Sequence, residues 1–407
     1  MSARRKLLVL ALLASPAGAQ TPASPWTRDS LQSAKLGEQR ILFVATPAGY
    51  ATSKDRYPVL VLLDADDEPQ FNAAVANVAF LTSRGAIPPL IVVGVANGKD
   101  RSHDMTPPAS GATMKQFATA GGAGTFESFI HDEVLPRVRT NYRTLPTTIL
   151  AGHSFGGLFA LYVAATNPGA YTGIVAMSPS LWWNDSTVAN TYADAIAKAA
   201  APTRVFATSG GLEPSIDVTT RRFEARLDSI KPASLAFGVR HYPEDTHGLT
   251  PEPSLIDGLR FVFAPISMAQ SPLNTLGPSS DSAGVVKAVT ETEAMYARGA
   301  RSLGLPEHLP EAQVNNLGYA VLQVLKLPNV AAWVFRRNVT NYPDSPNVYD
   351  SLGDALLAAS DSSGARVQFR MARDVALRTG QKVADATQKK LEALEQPHTT
   401  QAGKAKP

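Results

Sequence analysis

The sequence predicts an α/β fold with a mainly parallel central sheet, followed by a small all-α region. Two observations lead to this fold class. Between residues 41 and 263, short apolar runs alternate with helix-like stretches, which is typical of a parallel sheet covered by helices on both faces. Beyond about residue 285 the strand-like runs stop, and only the helical spacing of apolar residues remains.

Seven apolar runs are predicted to be strands. They are residues 41–45, 58–63, 90–96, 147–151, 173–177, 203–208 and 236–242. Sites in sheets of this kind form beyond the carboxyl ends of the strands. Polar residues follow four of these runs, at Asp64, at Ser154, in residues 209–217 and in residues 244–247. These four segments are therefore predicted to meet at one edge of the sheet.

Composition divides the chain into five predicted parts. They are a signal peptide (1–19), an α/β domain (20–266), a linker rich in Ser, Pro and Gly (267–284), a helical domain (285–396) and a disordered tail (397–407). The linker is predicted where few apolar residues are periodic, so it separates two folded units.

The first 19 residues have the composition of a secretory signal. Arg4, Arg5 and Lys6 precede a short apolar core and a small-residue site before Gln20. We therefore expect an exported bacterial protein, periplasmic or secreted, with no membrane span, because no later run approaches the ~20 apolar residues of a spanning helix. The chain has no cysteine, which excludes disulfides and thiolate chemistry. Its net charge of +3 comes with scattered basic residues, which argues against nucleic-acid binding.

One predicted strand ends at a G-x-S-x-G motif, Gly152-His153-Ser154-Phe155-Gly156. The preceding residues are apolar and β-branched and the following residues have the pattern of a buried helix, so the motif lies at a strand-to-helix turn. Such a turn presents a serine hydroxyl beside a base, and the glycines leave room where the backbone crosses itself closely. The sequence therefore predicts Ser154 as a nucleophile. In the alternative interpretation, Ser154 only caps the helix.

A serine nucleophile needs a base, and histidine is the side chain that accepts a proton near neutral pH. In α/β-hydrolases the order along the chain is serine, acid, histidine, which leaves His241 and His247. His247 is the predicted base because it lies in a polar loop after a strand, whereas His241 lies inside that strand. His153 is expected to point away from the turn.

The acid that orients the base should follow the nucleophile and precede the histidine, at another strand end. Residues 209–217 offer two carboxylates, Glu213 and Asp217. Glu213 is the preferred acid because two adjacent glycines close before it permit an unusual backbone path. Asp217 stays an alternative, as does a serine–histidine dyad without a tightly bound acid.

Attack on a carbonyl creates an oxyanion, which needs hydrogen-bond donors aimed at its final position. The predicted donors are the backbone N–H of Phe155, directly after the nucleophile, and that of Ala65, in the loop after residues 58–63. The carboxylates around Ala65 come without a histidine or a regular ligand spacing. We therefore expect neither a metal nor another cofactor.

Several motifs, in order along the chain, resemble those of one family. They are residues 101–107, residues 152–162, Ser178-Pro179-Ser180-Leu181-Trp182-Trp183 and the tract from His247 to Phe261. Over about residues 36–265 the chain is similar to the putative esterase family of α/β-hydrolases, which includes esterase D, enterochelin and salmochelin siderophore esterases and feruloyl esterases. The resemblance implies that Ser154 and His247 are catalytic and that Trp182 and Trp183 lie near the pocket mouth. It does not fix the acid, and Ala65 stands where the family usually has glycine.

Three residues are candidates for substrate binding. Trp182 and Trp183 offer an aromatic wall for an aryl or catechol group, and the alternative is that they belong half to the core and half to the surface. Arg101 is the third candidate. For Arg101 an ion pair with Asp104 that holds their loop is the preferred role, and substrate contact is the alternative.

The helical domain contains a repeat. Ala331 recurs as Ala365, Phe335 as Phe369, and Leu317-Gly318 as Leu352-Gly353, at spacings of 34, 34 and 35 residues. This resembles the tetratricopeptide pattern, in which small residues let paired helices touch and an aromatic ring fills the gap. Roughly two repeats fall short of the ~3 needed for independent stability. We therefore expect the domain to dock on the hydrolase domain, a second copy or a protein partner; the alternative is an ordinary helical bundle.

Taken together, these patterns predict an exported serine esterase that hydrolyses carboxylic esters through an acyl-enzyme on Ser154. Its partner is a small-molecule ester, either a siderophore lactone or an aryl or acyl ester. Two alternatives stay open. One is an acyltransferase of the same fold, and the other is a non-catalytic hydrolase-fold scaffold that carries a helical-repeat binding module.

Overall fold

A computed structural model of the protein describes residues 25–199, 203–232 and 235–395. The predicted signal peptide and tail lie outside these ranges. Eight strands are found within them: β1 Thr27–Gln32, β2 Gln39–Ala45, β3 Tyr57–Leu63, β4 Ile91–Val95, β5 Thr144–His153, β6 Gly173–Met177, β7 Arg204–Gly210 and β8 Ala236–Tyr242. They form one sheet in the order β1-β2-β4-β3-β5-β6-β7-β8.

The sheet is parallel from β4 to β8 in this order, while β2 runs antiparallel to both β1 and β4. The prediction of a mainly parallel α/β sheet is confirmed. Strand β1 was not predicted. Its sequence, TRDSLQ, is polar and largely exposed, so it has no apolar run, and its place depends on backbone pairing with β2.

Helices cover both faces of the sheet. They are α1 Glu68–Ser83, α2 Arg101–Met105, α3 Gly111–Gln116, α4 Ala123–Phe129, α5 Leu135–Asn141, α6 Phe155–Thr166, α7 Thr187–Lys198, α8 Pro214–Ile230, α9 Pro251–Val262 and α10 Ala264–Ser267. A π-helical segment, Ile130–Val134, joins α4 to α5. No helix of the described ranges is long and apolar enough to cross a membrane.

The core follows from the alternation of side chains along the strands. Every residue of β3 is buried. Leu60 and Leu62 pack on the face of the sheet covered by α1 and α9, whereas Val61 and Leu63 pack on the opposite face with α6. Because both faces are buried, the polar residues of the α/β region gather at the ends of the strands.

The chain continues into six helices within the described range. They are α11 Ser282–Leu303, α12 Glu311–Gln323, α13 Pro328–Asn341, α14 Pro346–Ala358, α15 Ser362–Thr379 and α16 Asp385–Glu395. The predicted linker contains a 3₁₀ helix, Met268–Thr275. The Thr147 hydroxyl at the start of the predicted strand 147–151 donates a hydrogen bond to the carbonyl of Leu303 at 2.6 Å.

The predicted repeat corresponds to a repeated contact between helices. A Cβ added to Gly318 in α12 would lie 2.4 Å from the ring of Phe335 in α13, and one added to Gly353 in α14 would lie 2.5 Å from the ring of Phe369 in α15. Both rings are fully buried. The glycine of one helix therefore receives the aromatic ring of the next helix twice, at the spacing seen in the sequence.

Candidate active site

The proposed nucleophile lies on a sharp turn between β5 and α6. Ser154 has φ 61° and ψ −114°, a conformation that is rare for residues with a side chain. A Cβ added to Gly152 would lie 2.5 Å from the backbone of Gly156, which explains why position 152 is glycine. The amide of Ser154 donates to the carbonyl of Met177 at 3.0 Å and ties the turn to the end of β6.

The Ser154 hydroxyl lies 3.4 Å from the hydroxyl of Ser180. The amide of Ser180 also donates to the carbonyl of Ser154 at 3.1 Å. Ser180 is buried, in the loop that follows β6. This loop therefore supports the turn through both a side chain and the backbone.

The predicted base and the preferred acid are in direct contact. His247 Nδ1 lies 2.5 Å from Glu213 Oε2, which leaves His247 Nε2 free of the acid. His247 is in the loop after β8 and Glu213 is the residue before α8, so the two come from neighbouring strand ends. The structure brings together the two residues that the sequence proposed as base and acid.

Glu213 is buried and accepts two further hydrogen bonds at Oε1. One comes from the Ser178 hydroxyl at 2.5 Å and the other from the Gly210 amide. Burial raises the pKa of Glu213, but His247, Ser178 and Gly210 together outweigh burial and hold this pKa below its usual range. Glu213 is therefore held as a carboxylate. Ser178 was missed by sequence reasoning because its role depends on a contact across 35 residues.

His247 also packs against the turn. Its ring stacks on that of His153, with centroids 4.3 Å apart, and His153 directly precedes Ser154. The expectation that His153 points away from the site is wrong. Among the hydrogen bonds of the described residues, none joins the Ser154 hydroxyl to His247, a contact that is often long in unliganded sites and tightens with substrate.

The alternative acid, Asp217, engages a different histidine. Its Oδ1 lies 2.9 Å from His241 Nδ1 and accepts from the Ser209 hydroxyl at 2.6 Å. His241 Nε2 lies 3.0 Å from Glu224 Oε2. Ser209 is fully buried, so this second serine–histidine–acid cluster has no accessible nucleophile. It ties the first turns of α8 to β7 and β8.

The two predicted oxyanion donors lie in different environments. Phe155 is the first residue of α6, where backbone amides lack partners within the helix. The amide of Ala65 donates to the carbonyl of Val95 at 3.2 Å, and Ala65 is buried. The residue before it, Asp64, has φ 59°, so the backbone turns sharply between β3 and this amide.

Arg101 binds Asp64 with two nitrogens, at 2.5 Å from Nε to Oδ1 and at 2.8 Å from a terminal nitrogen to Oδ2. The pair expected between Arg101 and Asp104 is not formed, since Asp104 instead binds the buried Arg40. Burial lowers the pKa of Arg101, but the hydrogen bonds and charge of Asp64 raise it by more. The pKa of Arg101 therefore lies above its usual value.

An aromatic group lies beside the turn. The ring of Phe117 is 5.4 Å from that of Phe155, 6.0 Å from Trp182 and 5.1 Å from Trp183, measured between centroids. Phe117, Phe155 and Trp182 are partly exposed, whereas Trp183 is fully buried. Trp182 is thus available to a ligand, whereas Trp183 belongs to the buried core and packs against the other rings from inside the protein. Phe117 was not a predicted site residue, because it lies far from the other three in the sequence.

The described residues contain no group of three or more His, Cys, Asp or Glu side chains placed to hold a metal ion. The carboxylates after β3 have other partners: Asp64 binds Arg101, Asp66 accepts from the Asn97 amide at 2.9 Å, and Asp67 caps α1. Their positions are explained by these contacts.

Part of the chain is similar to known proteins. Residues 33–224 match the family model described as putative esterase. This part of the chain is therefore similar to the putative esterase family. The matched segment contains the turn at Ser154 and the candidate acid Glu213, and His247 follows it.

Two curated relatives match part of the chain. The siderophore triacetylfusarinine C esterase of Aspergillus fumigatus is 39% identical over 90 residues, or 22% of this chain and 30% of the relative. The ferri-bacillibactin esterase BesA of Bacillus subtilis is 30% identical over 142 residues, or 31% of this chain and 49% of the relative. The chain thus spans less than half the length of these relatives.

Among solved structures, an IroE-like serine hydrolase from Shewanella oneidensis aligns with a TM-score of 0.64 and 25% identity, over 78% of this chain and 99% of that one. The BES protein from Bacillus cereus aligns with a TM-score of 0.53 and 27% identity, over 60% of this chain and 97% of that one. The fold predicted for the matched segment is shared with the IroE-like serine hydrolase.

Proposed function

We propose that this protein is a serine esterase that hydrolyses carboxylic esters through an acyl-enzyme on Ser154. The observation that carries the proposal is the 2.5 Å contact between His247 and a buried, ionised Glu213, beside a serine in a strained strand-to-helix turn. A carboxylate at Nδ1 fixes the tautomer in which Nε2 accepts a proton. Stacking on His153 holds the same ring next to the turn.

In the proposed mechanism, Ser154 Oγ attacks the ester carbonyl carbon and its proton passes to His247 Nε2. Glu213 stabilises the resulting imidazolium through Nδ1. The carbonyl double bond opens to an oxyanion, and when it re-forms the bond to the leaving alcohol breaks, with His247 returning the proton to that oxygen. Water then attacks the acyl-enzyme by the same route, releasing the acid and restoring Ser154.

The proposed oxyanion donors are the amides of Phe155 and Ala65. Phe155 N–H lies at the start of α6, where the helix dipole also favours a negative charge. The amide of Ala65 exchanges its 3.2 Å bond to Val95 for a bond to the oxyanion when an ester is bound. Each donor of this kind typically contributes about 2.7 to 4 kcal/mol to lowering the barrier.

The proposed substrates are siderophore lactones and aryl or acyl esters. One matched relative is named as a siderophore triacetylfusarinine C esterase and another as a ferri-bacillibactin esterase. In this chain, the partly exposed rings of Phe117, Phe155 and Trp182, which stand at 49° to 83° across the pairs with Phe155, offer an aromatic surface beside Ser154 that suits an aryl or other apolar acyl group. Comparing kcat/KM for a ferric-siderophore trilactone, a feruloylated sugar and simple acyl esters tests this assignment.

We also propose that residues 1–19 direct export and that the helices after α10 form a tetratricopeptide-like domain fixed on the hydrolase domain. The composition of residues 1–19 supports the first proposal. The second is supported by the Thr147 to Leu303 hydrogen bond and by Gly299 of α11, where a Cβ would lie 2.3 Å from the Pro265 carbonyl oxygen. An amino-terminal sequence of the periplasmic or secreted protein that starts at Gln20 would agree with export.

The experiment that tests the function uses a p-nitrophenyl ester and a fluorophosphonate probe. We expect turnover and covalent labelling of the full chain, and loss of both in Ser154→Ala. Ser209→Ala is the matched control, because Ser209 lies in the second serine–histidine–acid cluster but is buried. Unchanged turnover in Ser154→Ala contradicts the mechanism, whereas an unlabelled and inactive wild type favours the scaffold alternative. Ester exchange with an added alcohol in preference to hydrolysis would favour the acyltransferase.

A further inference from the structure

A pocket of about 250 Å³ lies between α1 and α9, beside the loop of the proposed base. Gly248 and Leu249, which directly follow His247, form part of its wall. Met177 at the end of β6 forms another part, and its carbonyl accepts the amide of Ser154 at 3.0 Å. The pocket therefore adjoins both the turn of the proposed nucleophile and the loop of the proposed base.

This pocket and the aromatic group lie on opposite faces of the sheet. The buried aliphatic side chains of the pocket belong to the core on the face covered by α1 and α9, as Leu62 does. The rings of Phe117, Phe155 and Trp182 pack against the core on the other face. An ester whose carbonyl carbon lies at Ser154 can thus extend one half toward each face.

The direction of proton transfer decides which half of the ester goes where. In serine hydrolases the histidine that accepts the serine proton returns it to the oxygen of the leaving alcohol. This oxygen must therefore lie against His247 when the ester bond breaks. Since the loop of His247 borders the pocket, the substituent of the alcohol has the pocket within reach. The aromatic group remains for the acyl half.

The lining of the pocket indicates what kind of substituent fits. Most of its walls are aliphatic, and its volume exceeds the cavity of about 150 Å³ that suffices for benzene in an engineered protein. Asn77 of α1 is among the lining residues, and its Nδ2 is buried with no hydrogen-bond partner among the described residues. Asp67 and Glu252 also line the pocket, whereas no lysine, arginine or histidine does. An anionic substituent is therefore disfavoured, and one with a hydrogen-bond acceptor would satisfy Asn77.

We propose that this pocket binds the substituent of the leaving alcohol and that Asn77 donates a hydrogen bond to an acceptor atom on it. The substrate class is then an ester of an uncharged, largely apolar alcohol, up to about the size of a phenyl or butyl group. The proposal rests on the proposed esterase function and deepens it, because it assigns the alcohol side of the substrate.

The test compares ethyl, n-butyl and 2-methoxyethyl benzoate. These esters form the same acyl-enzyme, so the alcohol affects kcat/KM only through binding and acylation. We expect kcat/KM of the wild type to be roughly 10-fold higher for the butyl than for the ethyl ester, because each buried methylene contributes about 4-fold.

Two variants probe the walls of the pocket. Ala73 of α1 lines the pocket and is half-buried, so Ala73→Leu fills part of the space, and the butyl-to-ethyl ratio should fall to about 1. Asn77→Leu removes the unpaired donor at similar size. The ratio of the methoxyethyl to the butyl ester should then fall roughly 5-fold relative to the wild type. Ala76→Leu is the matched control, because Ala76 is exposed on the same helix and does not line the pocket; both ratios should stay unchanged.

Several results would overturn the proposal. One is an equal kcat/KM for the butyl and ethyl esters in the wild type, and another is an unchanged butyl-to-ethyl ratio in Ala73→Leu. If Ala73→Leu instead changes the ratio of ethyl benzoate to ethyl acetate, the pocket holds the acyl half and the assignment is wrong. An unchanged ratio of methoxyethyl to butyl ester in Asn77→Leu contradicts the hydrogen bond.

A second variant serves if Ala73→Leu does not fold. Leu249 is 62% exposed, so Leu249→Ala removes a wall of the pocket without opening the core, and the butyl-to-ethyl ratio should fall roughly 3-fold. An unchanged ratio in this variant would also contradict the proposal. A wild type that hydrolyses none of these esters defeats the proposed function itself, which is distinct from hydrolysis that is indifferent to the alcohol.

Discussion

The imidazole rings of His153 and His247 stack on each other, with centroids 4.3 Å apart and 37° between their planes. One ring belongs to the residue before the proposed nucleophile and the other to the proposed base. His153 is mostly buried, and its Nε2 has no hydrogen-bond partner among the described residues. Burial and, after it, the charge of His247 lower the pKa of His153 to about 4, so this ring is neutral where the enzyme is expected to work.

The low pKa of His153 predicts that the protein loses stability on mild acidification. The unfolded chain binds a proton at His153 near pH 6.5, whereas the folded chain does so only near pH 4. The free energy of unfolding should therefore fall by ~3 kcal/mol from this group as the pH drops from about 6.5 to about 4. Urea unfolding at several pH values measures this slope.

The control for this prediction is His153→Phe, which keeps an aromatic ring against His247 and removes the titrating group. Asp64 and Glu213 are the other charged groups that act on His153, and both are retained. The slope between pH 6.5 and 4.5 should become flatter in the variant. An equal slope in both proteins would show that other groups cause it.

The two candidate acids predict different effects of substitution. Glu213→Gln removes the charge that stabilises the imidazolium of His247, and we expect kcat to fall roughly 10³- to 10⁴-fold. Asp217→Asn changes the cluster around His241, so kcat should stay within about 3-fold of the wild type. Steady-state kinetics at neutral pH measure both. The opposite order would assign the acid to Asp217, and small effects of both would support a dyad.

The sequence predicts a site residue well when the role of that residue depends on neighbours that are close to it in the chain. Ser154 was found from a motif, and its turn depends on neighbours within a few residues. The choice of Glu213 rested on two glycines, and the structure explains both. A Cβ on Gly210 would lie 2.4 Å from the Asp245 carbonyl oxygen, and one on Gly211 would lie 2.3 Å from the Pro243 carbonyl oxygen. At these glycines the loop between β7 and α8 crosses the loop between β8 and α9, and this crossing brings Glu213 to His247.

Other parts could not be predicted because they arise from contacts between distant segments. Ser178 and Ser180 belong to a motif that the sequence analysis recognised, but the motif does not show that they contact Glu213 and Ser154, and Phe117 carries no local signal. Arg101 was assigned to Asp104 because the two are close in sequence. Strand boundaries were predicted within a few residues where the strands are apolar, and β6 and β8 were predicted with the observed ends. Strand β1 was missed because its residues are mostly polar, and its position depends only on backbone pairing with β2.

Ser178 is predicted to control the acid limit of activity. Its hydroxyl donates to Glu213 at 2.5 Å and thereby lowers the pKa of that carboxyl group. In Ser178→Ala the pKa of Glu213 should rise. A carboxylate whose pKa is lowered is active above that pKa, so activity should be lost at a higher pH in the variant as the solution is acidified.

The pH profile of kcat/KM measures this shift on its acid side. Ser209→Ala is the control, since Ser209 donates to Asp217 in the other cluster, and its profile should match the wild type. A profile of Ser178→Ala that is lower at every pH but keeps its acid limb would mean that Ser178 positions Glu213 without affecting its protonation.

The repeated contacts in the helical region predict that its glycines tolerate no side chain. In Gly318→Ala, the added methyl group would meet the Phe335 ring at 2.4 Å, and overpacking of this kind costs about 1 to 3 kcal/mol. The gain in helix propensity, at most ~1 kcal/mol, offsets part of it. Gly353→Ala should behave alike, because its methyl group would lie 2.5 Å from the Phe369 ring.

Urea unfolding of the full chain measures the loss, and Gly277→Ala is the control. No atom lies within 4 Å of a Cβ at Gly277, so its stability should stay within about 0.5 kcal/mol of the wild type. Reduced stability in both helical variants, relieved when the facing phenylalanine is replaced by leucine, would identify the ring as the cause. If the two variants are as stable as the control, the rings move aside at no cost, and the spacing of glycine and phenylalanine does not determine how these helices pack.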